Sequence, residues 1–142
     1  MIKQLSVFLE NEPGRLVKVT RILEDANIDI RALTVAETAD FGILRLIVND
    51  PERAYSILRE NNVAVASDVV LGVEVNDKPG GLRVVAELLA EGDVNIEYVY
   101  AFVTRSHESA FVVLRVDDRE RATKVLKGGG VHLVEQDEVA RI

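Results

Sequence analysis

No cysteine occurs anywhere in the chain, which excludes disulfides, thiolate metal sites and a cysteine nucleophile. Histidine is nearly as scarce: the 2 present, His107 and His132, form no metal-ligand pattern such as H-x-x-x-H. Ser106 and Ser109 flank His107 in "TRSHES", but no third group orients them as a triad would require. His132 reads as an ordinary edge-strand residue. Basic residues are outnumbered, 17 Lys and Arg against 24 Asp and Glu, giving a net charge of −7. That charge repels nucleic-acid phosphates and anionic membranes, and no basic patch offsets it. No apolar run is long enough to cross a bilayer, and Met1 leads straight into a strand-like segment without a signal-peptide pattern. The expectation is a cytoplasmic protein that is not an enzyme and carries no cofactor or metal. Its expected partners are small molecules or proteins, with no nucleic acid and no membrane.

What the chain does have is apolar content arranged in order. With 142 residues, 48% apolar and 29% charged, it is long enough for one ordinary globular domain or two very small ones. Self-comparison decides for two. Pro13-Gly14-Arg15-Leu16 aligns with Pro79-Gly80-Gly81-Leu82, and at the same spacing Val19, Ile22 and Leu23 fall on Val85, Leu88 and Leu89. Ile28-Asp29-Ile30 falls on Val94-Asn95-Ile96. After a two-residue insertion near Arg105 to Glu108, "NDPERA" (Asn49 to Ala54) matches "DDRERA" (Asp117 to Ala122). The chain is a tandem duplication, with one unit over residues 1–67 and the other over 68–142.

Each unit reads as strand, helix, strand, strand, helix, strand. Ile2 to Leu9 alternates apolar and polar, the period of a half-buried strand, while Leu16, Val19, Leu23 and Ala26 follow helical spacing with Pro13 at the helix start. Ile28 to Ala36 and Ile43 to Val48 are β-rich runs joined by a hairpin-like "ETADFG". Asp50-Pro51-Glu52 opens a second helix with a capping Asp, Pro in the first turn and a carboxylate at the positive end of the dipole. Asn61-Asn62 ends that helix as Gly128 to Gly130 ends its counterpart, and a final strand is expected from Val63 or Val131. The order βαββαβ is the ferredoxin-like α+β arrangement, antiparallel sheets with helices on one face. In "NIEYVYAFV" both alternating sets of side chains are mainly apolar, so this strand is expected to be covered on both faces, as core plus a dimer or domain interface.

A strand, then "NEPGRL" or "NDKPGGL", a helix, and then "ANIDI" or "DVNIEY" inside a βαββαβ unit resembles the ACT domain, twice over and along essentially the whole chain. The resemblance implies an amino-acid-binding regulatory protein of the stand-alone tandem ACT type. It also implies a ligand held at the Pro-Gly loop between adjacent units, contacting a strand of the neighbour. The chemistry of the turn suits that role. A helix N-terminus offers unpaired N–H groups and partial positive charge to a carboxylate. Gly14, Gly80 and Gly81 lack a Cβ, Asn11 can donate and accept, and Asp77 in the matching place can accept from an ammonium group. Asp29 and Asn95, where the second strand begins, are further candidates for a head group. Each of these residues also has a plain structural reading, since Asn and Asp cap helices and Pro-Gly, at Pro13 or Pro79, is a common turn.

Serine-binding relatives carry H-x-N-x-P-G at this loop, but here the His position is Leu9 in one unit and Val75 in the other. That departure favours a ligand with a branched-chain or aromatic side chain. Other readings of the topology are an interaction module without a ligand, or a regulatory subunit of a metabolic enzyme. The join near Ala66 to Val69 constrains assembly. If two units paired through their second strands, strand 4 of one would lie about 29 Å from strand 1 of the other, whereas four extended residues reach about 14 Å. Such pairing is therefore expected to join two chains, as a homodimer, or to exchange a strand.

Overall fold

The computed structural model describes residues 1–37, 41–104 and 108–142. Part of the "ETADFG" turn and the Ser106–His107 pair therefore lie outside the described residues. The elements run β1 (Ile2–Glu10), α1 (Arg15–Asp25), β2 (Ile30–Glu37), β3 (Phe41–Val48), α2 (Pro51–Glu60) and β4 (Val65–Asn76). They continue with α3 (Gly81–Glu91), β5 (Ile96–Ala101), β6 (Ser109–Val116), α4 (Arg119–Gly128), β7 (Leu133–Val134) and a terminal 3₁₀ helix (Gln136–Arg141). Contacts group residues 3–68 as one unit and residues 1–2 with 69–142 as the other. No loop joins them. The expected join at Ala66 to Val69 lies in the first half of β4, which closes the first unit and opens the second.

In the first unit the sheet order is β2-β3-β1 with the start of β4 beyond β1, where the Phe8 N–H donates to the Ala64 carbonyl at 3.0 Å. The pairings of β1 with β3 and of β2 with β3 are antiparallel. The helices cover one face. Leu5 and Val7 from β1 and Leu44, Leu46 and Val48 from β3 pack with Val19 and Leu23 of α1 and Ala54 and Leu58 of α2. The second unit repeats this with order β5-β6-β4 and β7 outside β4. Leu71, Val73, Val85, Leu89, Leu114 and Leu126 occupy the matching core positions. Each unit is thus a ferredoxin-like α+β fold.

The caps show why the helices start and stop where they do. The Asp50 and Asp118 side chains accept from the N–H of Arg53 and Arg121, at 3.2 and 3.0 Å, three residues on. Asn62 and Gly130 follow the ends of α2 and α4 with φ of 61° and 78°, a left-handed geometry that Asn and Gly tolerate best. Two readings need correction. Pro13 does not begin α1; it precedes Gly14, the N-cap residue. The last strands start at Val65 and Leu133, two residues after Val63 and Val131, because those valines are still in the connection leaving the helix. Within the single chain Tyr100 of β5 and the following Phe102 are buried, while Val99 and Val103 are 42% and 56% exposed.

The 3₁₀ helix has no counterpart in the first unit. A capping box opens it, with the Glu135 N–H donating to the Glu138 carboxylate at 2.6 Å, and Val139 anchors it, fully buried.

Candidate functional site

The two Pro-Gly turns share one backbone geometry. Gly14 caps α1 at φ 88°, ψ −3°, and Gly80 caps α3 at φ 91°, ψ −8°. An L-residue in this left-handed region costs about 1–2 kcal/mol, so glycine is required here first by conformation. Neither cap uses a side chain. Asn11 and Asp77 are exposed and cap nothing, so their plain structural reading as helix caps does not apply. The first intrahelical bond of α1 runs from Lys18 N–H to Gly14 O at 3.0 Å, leaving the N–H groups of Arg15, Leu16 and Val17 directed out of the helix end. In α3 the Gly81 N–H is taken by Lys78 O at 3.0 Å, so Leu82 and Arg83 remain.

Beside each turn runs a groove between the helix and the first strand of the unit. In the first unit Leu9, Glu10, Arg15, Lys18, Asn62 and Val63 line about 130 Å³. In the second, Val75, Asn76, Gly81, Val84, Gly130 and Val131 stand at the same fold positions around about 280 Å³. The substitutions change the chemistry. Arg15 reaches Glu10 at 2.5 Å and Glu12 at 3.4 Å, while Lys18 makes no ion pair among the described residues. Both cations are lost in the second groove, where Glu74 and His132 replace Phe8 and Ala64. The second turn is also tighter. A Cβ on Gly81 would lie 1.9 Å from the Asn76 carbonyl oxygen, whereas the first unit accommodates Arg15 at this position.

Leu9, Pro13 and Gly14 thus gather at one end of the first unit, with Asn11, and Val75, Asp77, Pro79, Gly80 and Gly81 gather at the same end of the second. Asp29 and Asn95 do not join them. Glu10 pairs with Phe41 while Ile30 pairs with Val48, so Asp29 lies about 23 Å along the sheet from the turn of its own unit. Asn95 is removed from Asn76 in the same way, by the run from Ser109 to Val116. Both residues have local work instead. The Asp29 N–H donates to Asn49 Oδ1 at 2.9 Å and the Asn49 N–H returns to Asp29 O at 3.2 Å. Asn95 and Asp117 repeat this bracket at 3.0 and 3.2 Å, and the Asp29 carboxylate also holds Arg31 at 3.1 Å.

Sequence reasoning missed a cavity of about 580 Å³ on the face of the second sheet away from α3 and α4. Glu74, Glu108, Phe111 and Val134 line it with Glu138 and Arg141 of the 3₁₀ helix, and it shares Glu74, Ser109 and His132 with the second groove. His132 Nε2 lies 2.9 Å from Glu138 Oε1. The Glu135 N–H, and after it the His132 hydrogen bond, hold the Glu138 carboxyl below its ordinary pKa by favouring the charged form. No sequence pattern marks this cavity, because its wall is a short helix outside the repeat. Among the described residues no cluster of His, Cys, Asp or Glu is arranged to hold a metal, and no helix is long and apolar enough to cross a membrane.

Two helix starts with a left-handed glycine cap and no side-chain cap recur on duplicated ferredoxin-like units. The sequence matches the ACT domain pair family over residues 1–142, and the chain belongs to that family. It is similar to protein BT0572 of Bacteroides thetaiotaomicron, with a TM-score of 0.93 and 41% identity over 99% of this chain and 96% of that one. The regulatory subunit of aspartate kinase from Thermus thermophilus, in its ligand-free form, has a TM-score of 0.65 at 15% identity, over 89% of this chain and 91% of that one. The corresponding subunit from Thermus flavus has a TM-score of 0.60 at 14% identity over 90% and 92%. At such identities the likeness is one of fold. No curated protein matches the sequence.

Proposed function

We propose that this ACT domain pair is a non-catalytic, cytoplasmic amino-acid sensor that holds its ligand at the Pro-Gly turns. One observation carries the reading: the same left-handed glycine cap, with no side chain closing the helix end, occurs in both units beside a groove. A ligand carboxylate at the open N–H groups gains from both hydrogen bonding and the helix dipole. Lys18 adds charge in the first groove, and Leu9 and Val75 offer apolar walls to a branched or aromatic side chain. Volumes of about 130 and 280 Å³ lie below the range that takes drug-sized molecules and suit a single amino acid. Ligand binding acts on a metabolic enzyme or other target if two states of the protein differ in affinity for it.

Thermal shift against the twenty amino acids tests the reading, since a ligand at 100 times its Kd adds about 2.7 kcal/mol to the folded form. A rise in Tm with one or a few apolar amino acids, reduced by Lys18→Met, is the expected result. No rise with any amino acid at millimolar concentration rejects the sensor.

A second reading, an interaction module, is favoured by the open edges. β2 and β5 end their sheets, and Leu33, Val35 and Val99 on them are 40–48% exposed. Pairing of such edges between two copies would cover these residues and make a homodimer. Light scattering showing a monomer at micromolar concentration counts against it.

A further inference from the structure

The strip of the second sheet beside the 3₁₀ helix has a counterpart in the first. On the face away from α3 and α4 this strip runs through Ser109, Phe111, Glu74 and His132, and the helix walls it with Glu138 and Arg141. His132 meets Glu138 of the covering helix at 2.9 Å. The repeat puts Phe41, Ile43, Phe8 and Ala64 at these places in the first unit. They too lie on the face away from the helices, since Val7, Leu44 and Val63 beside them pack into the core. Here the chain runs on through β4 instead of forming a 3₁₀ helix, and Phe8 and Phe41 are 44% and 42% exposed.

Cross-strand geometry joins these residues into one surface. Phe8 stands opposite Ile43, with Phe41 and Arg45 as its diagonal neighbours, about 7–8 Å away. Beyond Phe8 the sheet edge forms a hollow of about 500 Å³ with Arg59, Asn62 and Val65. The Tyr55 hydroxyl holds the Arg59 guanidinium at 2.9 Å, over the Tyr55 ring, and Arg59 pairs with no carboxylate among the described residues. Guanidinium groups therefore flank an apolar strip in a chain whose net charge is −7. The segment that covers the matching strip of the second unit is acidic, with Glu135, Asp137 and Glu138 against Arg141, and the buried Val139 anchors it. Exposed aromatic surface rimmed by charge of one sign is the mark of a protein contact, and the rim selects a partner of the opposite sign.

We propose that this strip of the first unit is a docking surface for a partner protein that contributes a short acidic helical segment with an apolar anchor. That is the role the 3₁₀ helix fills within the second unit. The anchor covers Phe8 and Phe41, and the carboxylates meet Arg59 and Arg45. The surface abuts the first groove and shares Phe8, Asn62, Val63 and Ala64 with it, but Phe41, Arg45, Arg59 and Val65 lie outside that groove. Docking here requires no ligand at the turn.

The test is a titration of the full ¹⁵N-labelled chain with a synthetic peptide of its own residues 134–142, VEQDEVARI, as the surrogate partner. A second peptide carries Gln or Asn in place of the three acids. The expected result is saturable shifts at the amides of Phe41, Ile43 and Val65, with the neutral peptide weaker by about tenfold, as loss of charge-assisted contacts implies. Arg59→Gln should weaken the acidic peptide about tenfold and the neutral one little, while Phe41→Ser should weaken both. Both residues are exposed, and an unchanged spectrum elsewhere verifies that each variant is folded. Shifts confined to Leu9, Arg15 and Lys18 would place binding in the groove and overturn the proposal. So would shifts confined to the second unit, no shifts at millimolar peptide, or full affinity in Arg59→Gln. Loss of self-association in Phe41→Ser, read by light scattering, would assign the strip to a second copy and overturn it as well.

Discussion

The two turns agree within 5° in φ and ψ but not in tightness, and one substitution separates these properties. Replacing Gly81 with Ala adds a Cβ at 1.9 Å from Asn76 O, 3.0 Å from Asn76 C and 3.4 Å from Asn76 N. The obstacle is backbone, and Asn76 is held in register with Ser109 on β6, so it cannot rotate away as a side chain would. Relief requires a shift of about 1 Å or more, in the class of overpacking changes that cost about 1–3 kcal/mol and occasionally more. Ala regains up to about 1 kcal/mol in helix propensity. Because the obstacle is backbone, the upper end of that range applies, and a net loss of about 2 kcal/mol lowers the Tm of a unit this size by about 10 °C. At Gly14 nothing lies within 4 Å of the added Cβ, so Gly14→Ala meets only the left-handed φ of 88°. That strain, less the entropy an alanine removes from the unfolded chain, leaves about 1 kcal/mol. Calorimetry on both variants and the wild type decides the matter. If Gly81→Ala melts with the wild type, or above Gly14→Ala, the close approach of Asn76 is not the constraint inferred from it.

Further outcomes follow from the same contacts. Asp50→Ala and Asp118→Ala each remove a cap that accepts a backbone N–H, and each should cost about 1 kcal/mol in urea denaturation, with Asn in place of Asp restoring most of it. Asn49→Ala opens the bracket to Asp29 and should speed amide exchange at Asp29 specifically, without altering binding at the turn about 23 Å away. Glu138 is held below its ordinary pKa, so the folded chain takes up this proton less readily than the unfolded one. Its contribution is complete above the ordinary glutamate pKa and is lost as pH falls through the lowered value. Glu138→Gln should therefore flatten the acid limb of stability against pH, measured by urea midpoints, and an unchanged limb would refute the assignment.

The assembly question turns on exposure. Val99 and Val103 are apolar by sequence, and a strand apolar on both faces ordinarily reads as covered on both. In the second unit α3 and α4 pack over the centre of the sheet, with Val112 and Leu114 of β6 in the core. Val99 stands opposite Leu114 but at the edge, where the helices leave it 42% exposed. Leu33 of β2 repeats the position opposite Leu46, at 40%. The duplication has thus kept an apolar edge in both units, which is the observation behind the proposed pairing of two copies.

Much was legible in the sequence because it is encoded locally. The alternation of β1, the helical spacing of Val19 and Leu23, the Asp-capped α2 and the echo of Pro-Gly each depend on near neighbours along the chain. They suffice for the duplicated βαββαβ order and for glycine at both turns. What they cannot carry is proximity through space. Asp29, where the second strand begins, is a candidate head-group partner by sequence, but α1 carries the chain to the opposite end of the strands, about 23 Å from the turn. Gly81 was legible as a residue lacking a Cβ, whereas the carbonyl that requires its absence belongs to Asn76, brought close only when the turn folds back. The cavity beneath the 3₁₀ helix is built from β4, β6, β7 and that helix, distant in sequence and joined only by strand register. The sequence alone determined the repeat, its elements and the turns, since short-range sterics and periodicity set those. Tertiary structure decided which charges meet and which stay open, since register and helix placement bring distant residues together.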